Sequence, residues 1–282
     1  MEGQIPRLID RDALRARLAR AERLGAATFL LDRAAADLHE RLSAVLRDFK
    51  DVADVWTLGD GLQGSLADRF KTVARIGMFD RADEALHLAP QSLDLVVSAL
   101  ALQFANDLPG VLAQIRRALR PDGLFLTALL GGDTLTELRE AFTAAEVERE
   151  GGLSPRVLPF ADLRDLGALL QRAGFALPVA DVDRVVVRYD TAFALMQDLR
   201  RMGATNVLTE RRRTPLRRAT LLRMAQIYAE RFSDSDGRIR ATFDIVWLSG
   251  WAPHASQQQP LKPGSAKASL EDAVKGRNKP SS

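Results

Sequence analysis

Three glycines stand at a spacing that can hold a ligand by its backbone. Gly59-Asp60-Gly61-Leu62-Gln63-Gly64 is a literal G-x-G-x-x-G. It follows Asp51 to Leu58 (DVADVWTL), which reads as a short strand, and precedes a predicted helix from Ser65 to Lys71. Glycines in that place permit positive φ and let a ligand approach the main chain closely. In dinucleotide folds an acid roughly 20 residues beyond the loop holds ribose hydroxyls. Asp80 lies 21 residues after Gly59 and fits that offset.

The other reactive side chains are few. The 282 residues include no Cys, which excludes disulfides and thiolate metal sites. The three histidines, His39, His87 and His254, have no metal-ligand spacing, so no metal is expected. Forty Lys and Arg face 37 Asp and Glu, and a formal charge of +3 is too balanced to argue for nucleic acid. Arg211, Arg212 and Arg213, with Arg217, Arg218 and Arg223, form the densest basic cluster. It suits phosphate, an acidic partner or a solvated helix entrance. Aromatic residues are not interleaved with it, so an RNA platform is unsupported. No run approaches the roughly 18 apolar residues of a membrane span, and Met1 to Asp10 lacks a signal-peptide core. The expectation is a cytoplasmic protein without a membrane span.

The elements that must position these residues centre on residues 93–130, LDLVVSALALQFANDLPGVLAQIRRALRPDGLFLTALL. Leu93 to Leu100 is apolar without alternation, as in a strand buried on both faces. Asn106, Asp107 and Pro109 open a helix whose Val111, Leu112, Ile115 and Leu119 share one face. Pro121-Asp122-Gly123 reads as a tight turn and Leu124 to Leu130 as a second strand. Strand, helix, strand is a βαβ unit, and such units build parallel sheets.

Upstream, Arg11 to Leu24 and Leu31 to Phe49 read as helices, the second with Leu38, Leu42, Val45 and Leu46 on its apolar face. Gly64 to Asp94 spans only 30 residues, whereas a helix, strand, helix and strand need about 40. The sheet is therefore expected to be shortened there, with Thr72 to Phe79 as a strand. Downstream, Asp133 or Thr134 reads as the N-cap of a helix ending in Glu146, Glu148 and Glu150, a solvated acidic face. Gly151 to Pro155 reads as a lid or substrate loop. Asp162 to Ala173 is a helix closed by Gly174, Leu177 to Arg188 an alternating strand, and Thr191 to Met202 and Leu221 to Phe232 are helices. Ile239 to Trp251 is a final strand, antiparallel and close to the core. The expected division is an arm and helical cap over 1–50, a main domain over 51–252, and a tail over 253–282, disordered from about Gly264.

The wording of residues 93–126 resembles the fourth strand, following helix and fifth strand of class I S-adenosylmethionine-dependent methyltransferases. The continuation GGDTLTELREAFTAAEVEREGGLSPRVLPF resembles, more narrowly, the methyltransferase-like assembly factors of respiratory complex I and their α-proteobacterial relatives. The resemblance runs from about Thr28 to Gly264. It implies a Rossmann-like α/β sheet, mostly parallel with an antiparallel end, behind an N-terminal helical cap. It also implies S-adenosylmethionine as cofactor, with Gly59, Gly61 and Gly64 along its methionine end and Ser98 to Gln103, including Leu100, beside the reacting centre. Gln103, Asp133 and Ser154 fall on the substrate side.

The same wording sets ADEALHLAPQSLDLVVS against the family's third-strand region and gives Asp83, with Glu84, the adenine-side acid position. Asp80 and Asp83 are thus alternatives, and solvated turn residues are a third reading of both. The sequence departs from the pattern in places. Thr57 stands where the family has an acid two positions before the first glycine, Gly64 comes three rather than two residues after Gly61, and Gln103-Phe104 replace a His-Trp pair. A catalytic residue is not assigned. The family's mitochondrial members are associated with arginine hydroxylation of a complex I subunit, so a complex I subunit is an expected partner. The alternative function is a catalytically degenerate scaffold of the same fold.

Overall fold

The computed structural model describes residues 7–81 and 83–257. The expected tail beyond Gly264 lies outside those residues. One six-stranded sheet runs through the chain in the order β2-β1-β3-β4-β6-β5. Its strands are β1 (Val52–Val55), β2 (Val73–Ile76), β3 (Leu93–Ala99), β4 (Leu119–Gly131), β5 (Ala176–Tyr189) and β6 (Ile239–Trp251). The first four are mutually parallel, and β6 and β5 close the sheet antiparallel.

The β3–helix–β4 unit follows its sequence closely. In β3 every residue except half-buried Asp94 is buried, because helices cover both faces. Helix α4 (Leu108–Ala118) starts where Asp107 accepts from the Gly110 amide at 2.9 Å, and Pro109 sits in the first turn without needing an N–H partner. Val111, Leu112, Ile115 and Ala118 are buried against the sheet. Each of the larger three contributes about 2 kcal/mol of hydrophobic stabilisation. The turn at Pro121-Asp122-Gly123 lies inside β4 rather than before it. Leu93 pairs with Leu119 and Leu95 with Leu124, so the turn is an irregularity in a longer strand. Asp122 takes φ 65°, and a Cβ on Gly123 would stand 3.0 Å from the Arg120 carbonyl.

Helices α1 (Arg11–Arg23) and α2 (Phe29–Ser43) precede the sheet. The second stops short of the expected Phe49. Leu38 and Leu42 are fully buried, but Leu46 is 98% exposed and belongs to the connection, not the apolar face. Beyond Ser43 the chain is no longer helical, and Val45 and Phe49 reach the core from the connection while Leu46 faces solvent.

The shortened segment holds one helix, α3 (Gly61–Ala67), and one strand, β2. A helix and a strand are missing relative to a full doubly wound half, and β2 becomes the sheet edge beside β1. Helix α3 begins at the second glycine, four residues earlier than its sequence suggests.

Helices α4 and α6 (Leu163–Arg172) pack on one face through Ile115, Leu166, Leu170, Phe125 and Val246. On the other face α2 and α3 pack through Leu38, Leu42, Leu62 and Leu66 against Leu95, Val97 and Trp247. A third cluster joins α5 (Thr136–Glu150), α7 (Ala192–Arg201) and α8 (Arg218–Phe232) through Leu138, Phe142, Leu195, Met224 and Tyr228. Of the three glutamates near the end of α5 only Glu148 stays exposed, and all three have partners. Glu146 is buried with Ser154 and Arg156, Glu148 pairs with Arg223 at 2.6 Å, and Glu150 pairs with Arg212 at 2.8 Å. They tie α5 to the following loop and to the approach and first turns of α8. Helix α5 begins at Thr136 behind Leu135, while Thr134 is buried and bonds the Gly131 carbonyl instead of capping.

Candidate active site

The carboxyl ends of the parallel strands are where loops can converge on a ligand. Three of them end in a non-glycine residue in the left-handed region: Trp56 after β1 (φ 67°), Leu100 after β3 (φ 50°) and Leu135 after β4 (φ 55°). Each such residue costs about 1–2 kcal/mol. The backbone holds them there. The Trp56 amide donates to the Ile76 carbonyl at 2.8 Å, that of Leu100 to Ala128 at 2.8 Å, and that of Leu135 to Thr242 at 2.7 Å. The Thr57 hydroxyl accepts from the Ala99 amide at 2.9 Å and so joins the β1 loop to the end of β3. Arg75 on β2 reaches Asp60 at 2.6 Å and the Gly59 carbonyl, which anchors the glycine loop from its other side.

Above these ends lies a cleft of about 800 Å³. Leu58, Gly59, Phe79, Leu100 and Gln103 form its sheet end, Leu130, Leu138 and Phe142 its middle, and α1 and α7 its rim. Gly59 has φ 71° and nothing within 4 Å of where a Cβ would stand, so its backbone is open to a ligand. Gln103 donates from Nε2 to the Leu100 carbonyl at 2.7 Å, and its buried Oε1 has no partner. A smaller hollow of about 110 Å³ is lined by Trp56, Met78, Asp80, Asp83 and Leu86. Loop residues 56–59 and 77–80 border both spaces.

The sequence-predicted residues therefore separate into groups. Gly59, Leu100 and Gln103 line the main cleft. A Cβ on Gly61 would lie 3.4 Å from Asp32 Oδ1, so this glycine lets α3 approach α2, and Gly64 faces open space. Asp80 and Asp83 share the smaller hollow. Asp80 accepts from the Gly77 amide at 2.7 Å and Asp83 from the Ala85 amide at 3.3 Å. Ser98 is buried in β3, and no partner reaches its hydroxyl. Asp133 pairs with Arg184 at 2.6 Å, and Ser154 donates from Oγ to Glu146 at 2.8 Å; neither lines the cleft. Both brace the ends of α5.

Other groups do not stand out from the motifs. Asp54 on β1 is fully buried, and neither carboxyl oxygen has a hydrogen-bond partner. Burial raises its pKa above the ordinary carboxylate range, against a weaker pull from Thr57 and Arg75. Its one signal in the sequence is a single charge inside an otherwise apolar strand. Glu84 accepts from the amides of Asn106 and Asp107, each at 2.9 Å, and fastens the Asp83 loop to the start of α4. Among the described residues no group of three His, Asp or Glu side chains gathers as a metal site, and no helix is long and apolar enough to cross a membrane.

Residues 65–127 match the family model described as Methyltransferase domain. The chain is 41% identical to arginine-hydroxylase NDUFAF5, mitochondrial, of Danio rerio, over 80% of its own length and 70% of that protein. It is 45% identical to the Dictyostelium discoideum protein of the same name, over 66% of its own length, and it spans 42% of that longer relative. Among solved structures the YcgJ protein of Bacillus subtilis superposes with a TM-score of 0.53 at 12% identity, covering 79% of this chain and 99% of that one, a likeness of fold. The Rossmann-like sheet, its antiparallel end and these relatives agree: the chain belongs to the S-adenosylmethionine-dependent, methyltransferase-like family of arginine-hydroxylase NDUFAF5.

Proposed function

We propose that this protein binds S-adenosylmethionine at the sheet end of the cleft and acts as a methyltransferase-like enzyme in the assembly of respiratory complex I. One observation supports this above the others. Gly59, with open space where its side chain would be, faces the same cleft as Gln103, whose buried Oε1 lacks a donor. A cofactor with ammonium and hydroxyl groups supplies such donors. When bound, it supplies an electrophilic methyl group. The chain's part is to align and to exclude water, which in-line displacement needs more than it needs a proton relay.

In this reading Gly59 and Leu100 pass the methionine end, with Ser98 beneath them and Gly61 and Gly64 shaping the helix behind. Asp80 and Asp83, on one loop around one hollow, hold the ribose and adenine side together. Gln103 meets the cofactor through Oε1 and stands on the acceptor side of it. Asp133 and Ser154 act at a distance, by fixing the turn before α5 and the loop that carries Arg156 to the cleft. Helices α1 and α2 serve as a cap over the β-sheet domain. The partner is a complex I subunit met in the cytoplasm, so the protein should fractionate with the soluble extract and co-purify with that subunit.

The test is calorimetric titration with S-adenosylmethionine and S-adenosylhomocysteine. Micromolar binding is expected, and Gly59→Val should weaken it by about tenfold or more, a loss of about 1.4 kcal/mol. Asp80→Ala and Asp83→Ala should each weaken it less. A folded sample that binds neither compound refutes the proposal.

A further inference from the structure

Arg11, the first residue of α1, turns its guanidinium to the loop after β2 rather than along its own helix. It donates to the Met78 carbonyl and to the Arg81 carbonyl at 3.2 Å, and it pairs with Glu84 at 3.5 Å. Its side chain is 16% exposed and lies over the rings of Trp56 and Phe79, 6.0 and 5.8 Å from their centroids. Among the described residues no other side chain bonds the main chain from Met78 to Arg81. The ends of the loop are held separately. The Gly77 amide donates to Asp80 at 2.7 Å, and the Leu86 amide donates to Gln114 on α4 at 2.8 Å. Between these ends Asp80 and Asp83 border the small hollow. Each uses one carboxyl oxygen inside the loop and keeps the other without a partner among the described residues.

Arg11 is itself fixed from behind. The Asp10 amide donates to the Val207 carbonyl at 2.9 Å, and the Asp10 carboxylate caps α1 through the Ala13 amide at 2.9 Å and pairs with Arg211 at 2.8 Å. The Ile9 amide donates to Asn106 Oδ1 at 2.7 Å. A residue anchored in this way loses little further freedom when it grips the loop. Arg11 lines neither the cleft nor the hollow.

We infer that Arg11 is a positioning residue for the nucleoside end of the cofactor: without touching the cofactor, it shapes the loop so that the free oxygens of Asp80 and Asp83 face the hollow. The inference rests on the cofactor site proposed above. A planar guanidinium reaches two carbonyls and a carboxylate together because its donors form a fixed fork. An ammonium in the same place keeps the charge and loses the fork, so lysine is not an equivalent here.

The experiment titrates the full chain and its variants with S-adenosylhomocysteine and with methylthioadenosine, which keeps the nucleoside and lacks the amino-acid end. Arg11→Lys should weaken both by the same factor, about fivefold, the size of one ordinary hydrogen bond. Adding Asp80→Ala and Asp83→Ala to Arg11→Lys should weaken binding little further, because the acids have already lost their placement. Amide exchange without ligand gives a second reading. Gly77 and Leu86 should exchange faster in Arg11→Lys, while residues 124–130 keep the wild-type rates. If Arg11→Lys does not fold, Glu84→Gln tests the same contact from the loop side. Unchanged affinity for both ligands, a loss confined to S-adenosylhomocysteine, full additivity with the acid substitutions, or unchanged exchange at Gly77 and Leu86 overturns the inference. A wild-type chain that binds neither ligand sinks the proposed function instead, and the grip of Arg11 on the loop is then decided by exchange alone.

Discussion

The β3–α4–β4 unit and the β1–α3–β2 unit are both strand, helix, strand, yet they are built to different standards. The first has long buried strands, a capped helix and four buried side chains facing the sheet. The second has strands of four residues, a seven-residue helix with no side-chain cap, and Trp56 in the left-handed region. The first packs like a core. The second places an open glycine at the cleft, two loop acids at the smaller hollow and a buried carboxyl within its first strand. The difference teaches that the β3–β4 half combines a packed core with cleft-lining residues such as Leu100 and Gln103, whereas the β1–β2 half gives up packing to open its glycine loop. Strain can sit in the β1 loop because the neighbouring strands hold it.

That contrast can be tested by substitution. Phe125→Ala should have the largest effect, because Phe125 is fully buried in β4 and stacks on Phe175 with ring centroids 5.4 Å apart. A loss of about 4 kcal/mol is expected in denaturant unfolding. A cost under about 1 kcal/mol would mean that this half is not the stable one.

Asp54→Asn should stabilise the protein at neutral pH by on the order of 1 kcal/mol, since it removes a buried charge that lacks a partner. The sign follows from proton linkage. A carboxyl whose folded pKa is raised keeps its proton in the folded state after the unfolded chain has lost it. Its contribution to stability therefore falls as pH rises from near 3.8 to the folded pKa, and remains lower above that. The variant should lose this slope in unfolding measured from pH 4 to 8. An unchanged slope would show that Asp54 is paired.

Asp107→Ala removes the cap that accepts from the Gly110 amide and should cost about 1 kcal/mol. Gly64→Ala is the smallest change and runs the other way. The site faces open space inside α3, so alanine should add about 0.5–1 kcal/mol of stability. Thermal melts of the two variants would then shift in opposite directions. If Gly64→Ala instead weakens cofactor binding, the glycine is needed for the ligand and not merely tolerated.

Much of this fold is legible in the residues alone. Pro109 after Asp107 announces α4, and alternation over residues 177–188 announces the edge strand β5, because caps and periodicity act within a few residues. The count of 30 residues between Gly64 and Asp94 implies a shortened sheet. Other features are out of reach of local pattern. The start of α3 at Gly61 is hidden because glycine is a poor helix former, and here packing on α2 overrides its propensity. The end of α2 at Ser43 is hidden because apolar spacing continues through Leu46 with nothing for that side chain to face. Glu146 reads as solvated because its partners, Ser154 and Arg156, become visible as partners only when the chain folds back.

By itself, then, the sequence determined the βαβ unit, the antiparallel end and the family likeness. The first rests on contacts between neighbours along the chain, and the other two on alternation in residues 177–188 and on family wording. Tertiary structure decided the rest: Trp56 and Leu100 in the left-handed region, Asp80 and Asp83 around one hollow, Gln103 at the cleft, and Arg17 beside Arg200. Arg17 and Arg200 lie far apart in the sequence and share the cleft rim because α1 packs on α7. Such convergence depends on how distant segments cross, and neither composition nor periodicity records that.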